Sequence, residues 1–274
     1  MTTDSGVKFA IDATDGGSRY LHVRVTVSPP FTGNKLTLKF PRWVPGSYFI
    51  REPMQYLTAI SCHQNEKDVS FARKAVDSVE IKLSDQSSDL VVNYKIFGIE
   101  LSVRSTHIDS SHLHMMPPFT FLLPTSGIDK SRMDMEHKIE VFCPTEWSPA
   151  TQLHLVKKDE NNHSMVGNKA NLYTFSAPDR DRLLDGIIEI NSNENIHFSV
   201  DGRNHVLKLW DSGGFQTDSS MVNRFMEDMK KIIKEYHALF GVPDWGDYVT
   251  VLQLTEKSRG GLEHLNSQTS MLPR

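Results

Sequence analysis

The chain has 274 residues, 38% of them hydrophobic and 23% charged, enough apolar material for one large or two ordinary globular domains and too much for a disordered chain. A formal net charge of -4 with scattered Lys and Arg leaves no basic field for a nucleic-acid partner, and no run approaches the roughly 20 apolar residues of a membrane-spanning helix. Only Cys62 and Cys143 are present, which implies neither a disulfide framework nor a thiolate zinc site; with polar and acidic residues from Met1 to Gly17, the sequence predicts a cytoplasmic protein.

The first two thirds of the chain carry the two-residue period of half-buried strands. Leu21, Val23, Val25 and Val27 alternate with His22, Arg24 and Thr26, and the pattern recurs over Leu36 to Phe40, Val79 to Leu83, Leu90 to Ile96, Ile139 to Phe142 and Leu172 to Phe175. Turn-forming clusters such as Ser28-Pro29-Pro30 and Thr32-Gly33-Asn34 separate the runs, so the segment predicts short antiparallel strands in a sandwich. Between two of them, Trp43-Val44-Pro45-Gly46-Ser47-Tyr48 reads as a rigid type II turn whose aromatics pack, with Arg51 able to pair with a carboxylate. The charge-rich stretch Pro178-Asp179-Arg180-Asp181-Arg182 marks the expected boundary between a domain of residues 1–178 and a segment of residues 179–274.

After Ser219 the period becomes helical. Val222, Phe225, Met229, Ile232, Ile233, Tyr236 and Phe240 share one side, with Glu227, Asp228, Lys230, Lys231, Lys234 and Glu235 on the other, which reads as core before it reads as a partner surface. Asp218, Ser219 and Ser220 offer N-cap oxygens; Gly241 and Pro243 supply the stop. Tyr248 to Leu254 then predicts a strand leading into Gly260-Gly261-Leu262-Glu263-His264.

Two elements could carry chemistry. If Gly260 to His264 forms an extended edge, its backbone can pair with a bound peptide while the Glu263 carboxylate takes the peptide's N-terminal ammonium; the alternative is an ordinary Gly-Gly turn beside a solvated glutamate. His112 and His114, with His107 and Asp109 nearby, could place two imidazoles on one strand face, but two ligands do not make a catalytic zinc site, and loop histidines that are exposed or hydrogen-bonded are the simpler reading. Neither Glu136-His137 nor Glu263-His264 has a second histidine at helical spacing, and no His-Glu-x-x-His occurs.

The order of Pro41-Arg42-Trp43-Val44-Pro45-Gly46-Ser47-Tyr48-Phe49-Ile50-Arg51, Leu101-Ser102-Val103-Arg104, Trp147-Ser148-Pro149-Ala150-Thr151, Phe240-Gly241-Val242-Pro243 and Gly260-Gly261-Leu262-Glu263-His264 resembles the glycyl aminopeptidase family. Its members are PDZ-containing, thermolysin-like zinc metallopeptidases related to the aminopeptidase N group. The resemblance covers nearly the whole chain. It implies a mostly β protein: an N-terminal β-sandwich-like domain, then the start of an α+β thermolysin-like catalytic domain, a β-sheet plus one long helix. It implies that Gly260, Gly261, Leu262, Glu263 and His264 bind peptide substrates with a free N-terminus, glycine preferred, and that Glu263 holds the amine. The complete family enzyme uses zinc, whereas this chain, lacking the zinc-binding helix, is expected to bind none and to be inactive alone. Its exposed C-terminal part would then favour self-association. Two other readings remain: a non-catalytic peptide-binding β module, and an independent metalloenzyme built on His112 and His114.

Overall fold

Alternating burial along the strands is what assembles the largest sheet. In the strand Tyr20–Val27, Leu21, Val23, Val25 and Val27 are buried while Arg24 faces water, and Leu90–Phe97 repeats the alternation through Leu90, Val92, Tyr94 and Ile96. The computed structural model describes residues 4–44, 47–213 and 219–273. Among them, eight strands form one sheet in the order His154–His163, Lys169–Ala177, Glu136–Cys143, Asp4–Asp12, Tyr20–Val27, Leu90–Phe97, Leu57–Gln64 and Lys67–Asp68. All its pairings are antiparallel except that of Asp4–Asp12 with Glu136–Cys143. A four-stranded sheet, Leu123–Ser126, Lys35–Lys39, Ser78–Lys82 and Phe71–Ala75, shares one hydrophobic core with it. Cys62 and Cys143 are free thiols in this core, and burial pushes both up to about 12.

A second four-stranded sheet, Ser148–Ala150, Ile188–Asn191, His112–Met115 and His107–Ile108, joins this body to the rest of the chain. The short helix α1, Arg180–Asp185, follows an Asp179 cap that accepts a hydrogen bond from the Arg182 amide. Beyond it lies a five-stranded sheet in the order Ile196–Val200, Arg203–Asp211, Tyr248–Thr255, Ser267–Pro273 and Gly260–Glu263. Helix α2, Ser219–Phe240, connects the parallel strands Arg203–Asp211 and Tyr248–Thr255, as a parallel pair requires. Val249, Val251, Leu262 and Met271 of this sheet pack on Val103, Met116, Phe119, Ala150 and Ile187, so one apolar cluster crosses between the two parts of the sequence.

Most predicted strands and the helix stand where the periodicities place them. The stop signal of α2 also holds: the Gly241 amide donates to the His237 carbonyl at a φ of 85°, where a side chain would be strained. Asp218, one expected cap residue, lies outside the described residues.

Two packing expectations fail. Along α2 only Met226 is buried, packed with Leu207, Leu209 and Leu252 beside the partly buried Val222, while Phe225, Ile232, Tyr236, Leu239 and Phe240 stay exposed. Trp43 and Tyr48 are 54% and 96% exposed: the Trp43 indole donates to the Ser47 carbonyl within its own loop, at 2.8 Å, and buries little area elsewhere. Pro45 and Gly46, the centre of the expected turn, lie outside the described residues. Arg51 lies 5.4 Å from the Phe49 ring centroid, and it is Arg42 that meets a carboxylate, Glu52 at 3.4 Å.

Candidate functional site

The Gly260-to-His264 element is an edge strand. Gly260–Glu263 pairs antiparallel with Ser267–Pro273, Gly260 opposite Met271 and Glu263 opposite Gln268, and the His264 amide closes the hairpin on the Ser267 carbonyl at 2.8 Å. Nothing pairs with its other side among the described residues, so that line of backbone groups is open to an added strand. Gly260 permits the close fit: a Cβ there would sit 3.3 Å from the Val103 side chain.

Alternation divides the five residues between two faces. Leu262 is buried in the cluster shared with Val103 and Met116, and with His264 it lines a cleft of about 580 Å³ bounded also by Phe40, Trp43, Leu184 and Asp185. Gly261 and Glu263 face the other way, with the glutamate exposed and free of any hydrogen bond or ion pair among the described residues. His264 is anchored on α1, its Nδ1 lying 2.9 Å from Asp185 Oδ1, while the Leu265 amide donates to Asp185 Oδ2 at 3.0 Å. Burial alone would raise the Asp185 pKa, but His264 and the Leu265 amide outweigh it and hold it below the usual carboxylate value. The Tyr248 hydroxyl is pushed up to about 12, first by burial and then by the charges of Glu263 and Asp185.

The second candidate cluster corrects the sequence reading. His112 and His114 are not loop residues but fully buried members of the strand His112–Met115, and they do share a face. Both Nδ1 atoms contact the buried Glu189 carboxylate, His112 at 2.9 Å on Oε1 and His114 at 3.1 Å on Oε2. Gln253 donates to Oε2 at 3.0 Å and Asn191 to Oε1 at 3.3 Å. Burial raises the Glu189 pKa, yet the two imidazoles more than compensate and hold it down to about 2; burial in turn keeps the His112 imidazole below its ordinary value. Trp210 stacks on His112 with ring centroids 3.5 Å apart and donates to Ser111 Oγ at 3.1 Å. Lys208, fully buried, donates to Ser148 Oγ and to the Asn191 and Asn193 carbonyls, and burial lowers its ammonium to about 8. Sequence reasoning missed Glu189, Asn191, Lys208, Trp210 and Gln253. The signal available was polar residues inside otherwise apolar strands, Glu189 between Ile188 and Ile190 and Lys208 between Leu207 and Leu209.

The fold is that of solved peptidases. An aminopeptidase N family protein from Idiomarina loihiensis superposes with a TM-score of 0.81 at 22% identity, over 98% of this chain and 42% of that one. A two-domain M1 zinc metallopeptidase bound to L-arginine gives 0.53 at 11% identity over 97% and 59%, and an M1 zinc metallopeptidase from Deinococcus radiodurans gives 0.51 at 11% identity over 97% and 58%. The chain thus spans 42% to 59% of the length of these relatives. No curated protein matches it. Residues 8–190, which include the eight-stranded sheet's central strands and the buried Glu189, match the peptidase M61 N-terminal domain, and the chain belongs to that family.

Proposed function

We propose that the chain is the N-terminal portion of a zinc aminopeptidase and that Gly260, Gly261, Leu262, Glu263 and His264 bind the N-terminal end of a peptide substrate. One observation carries this reading: the strand Gly260–Glu263 is the outer edge of its sheet and presents an exposed Glu263 carboxylate beside an open line of backbone groups. A peptide added to that edge extends the sheet, and its ammonium meets the carboxylate. No His-Glu-x-x-His is present in this chain to hold a catalytic zinc like that of the M1 zinc metallopeptidases it resembles in fold, so the metal and its chemistry are assigned to further sequence of the complete protein. Division at 178/179, a glycine preference, an accompanying PDZ domain and a cytoplasmic location complete the proposal; no described helix is long and apolar enough to cross a membrane. The runner-up, a non-catalytic peptide-binding β module, rests on the same open edge, which needs no metal to pair with a peptide.

Extension of the chain with the remaining sequence of its gene tests the reading. The complete protein is expected to hydrolyse glycyl and alanyl arylamides and to lose that activity to a chelator, while the 274-residue chain does neither. Hydrolysis by the shorter chain at the same rate would contradict the proposal, and binding of free-amine peptides without turnover by the complete protein would favour the β module.

The same proposal assigns the exposed stripe of α2 to contacts with that further sequence. Uncovered apolar area promotes association, so the 274-residue chain is expected to self-associate by sedimentation velocity, and a Leu239→Ser, Phe240→Ser variant to sediment as a monomer. A wild-type chain that stays monomeric at high concentration would show that the stripe is not adhesive.

A further inference from the structure

We propose that His107, Asp109 and His112 form a binding site for one divalent transition-metal ion, of which zinc is the test ion, separate from the ligands of a peptidase's catalytic zinc. The hairpin that pairs His107–Ile108 with His112–Met115 brings a potential ligand atom from each of the three residues within 4.8 Å of the others. Ligand bonds of about 2.0–2.2 Å in a tetrahedral centre separate donors by about 3.5 Å, a contraction within reach of small side-chain rotations.

Two of the three ligands are already oriented. Asp109 spends Oδ1 on the Ser111 amide and hydroxyl, both at 2.7 Å, and on the His112 amide at 3.0 Å, which leaves Oδ2 turned toward His107 Nε2 at 3.5 Å. His112 is fixed by Glu189 on its Nδ1 and by Trp210 on its ring face. Its Nε2 is buried without a hydrogen-bond partner. A buried imidazole nitrogen left unsatisfied is costly, and a carboxylate behind the opposite nitrogen is the arrangement that orients metal-binding histidines and raises their basicity. His114 shares Glu189 but is not part of the cluster.

Charge also fits. Asp109 and the Glu189 carboxylate behind the imidazole together offset a dication. Arg19 opposes it, with Nη1 3.4 Å from His107 Nε2 and 3.5 Å from Asp109 Oδ2; its side chain is 43% exposed and can withdraw into solvent, which opens the route past Asp109. Two histidines and one carboxylate leave a further coordination position for water. The inference departs from the expectation that this chain binds no zinc, which rested on the missing zinc-binding helix and on the want of three suitably spaced ligands.

Calorimetric titration of zinc into the purified 274-residue chain, followed by thermal unfolding, tests the site. One equivalent is expected to bind and to raise Tm; Asp109→Asn, which keeps the Oδ1 hydrogen bonds, and His107→Gln should each weaken binding about tenfold or more, and Arg19→Ala should tighten it. Cobalt(II) should bind competitively and give visible absorption that both ligand variants reduce. Thermal unfolding without metal identifies any variant that does not fold. No saturable one-to-one binding by the folded chain, or equal affinity in the folded Asp109→Asn and His107→Gln variants, would overturn the proposal.

Discussion

Replacing Glu189 by alanine is expected to destabilise the chain by about 3–5 kcal/mol, because a carboxylate with no exposure accepts from four buried groups and its removal strands all of them. Two of the donors are imidazoles of the strand His112–Met115 and a third is the Gln253 amide of Tyr248–Thr255, so the loss falls on the seam between the second four-stranded sheet and the five-stranded sheet. Glu189→Gln keeps the shape and one acceptor oxygen but turns an NH2 toward an N–H donor, and should cost less, about 1–3 kcal/mol. Urea unfolding midpoints at constant m check both values. A loss below about 1 kcal/mol for Glu189→Ala would mean that water or relaxation satisfies these donors and that the seam is not held by the carboxylate.

Glu263→Gln in the complete protein is expected to lower kcat/KM toward free-amine substrates by about 2–4 kcal/mol of transition-state stabilisation, the range for removing one partner of a charge pair that the bound substrate itself desolvates. Stability should hardly change, since the Glu263 carboxylate makes no hydrogen bond or ion pair among the described residues. The contrast with Glu189 is the point: one carboxylate is spent inside the fold and the other is left outside it. A variant that loses stability but keeps kcat/KM would return the Gly260-Gly261 segment to a purely structural role.

How much of this was legible depended on whether the deciding contacts were local. Strands such as Tyr20–Val27 and Leu90–Phe97 bury every second residue, so their period reports the sheet directly; α2 carries both its stripe and its Gly241 stop within consecutive residues. The edge position of Gly260–Glu263 was half visible, since the glycine pair and following glutamate indicate a special strand but not which strand pairs with it. The Glu189 network was invisible because His112 lies 77 positions from Glu189, and Gln253 lies 64 positions beyond it. Pattern reading treats a charged residue inside an apolar strand as a solvent-facing position, which is why Glu189 and Lys208 were passed over. The aromatic loop failed in the opposite direction. Trp43 and Tyr48 were assigned to packing by their size, yet a loop at the rim of a cleft has no second layer to bury them.

The most direct measurement of the account is the position of a substrate amine in the complete protein. A structure of that protein with a bound glycyl dipeptide or free amino acid should place the ammonium nitrogen about 2.7–3.0 Å from a Glu263 oxygen, with the ligand backbone lying along the open side of Gly260–Glu263. An ammonium held by other groups, with Glu263 still facing solvent, would contradict it.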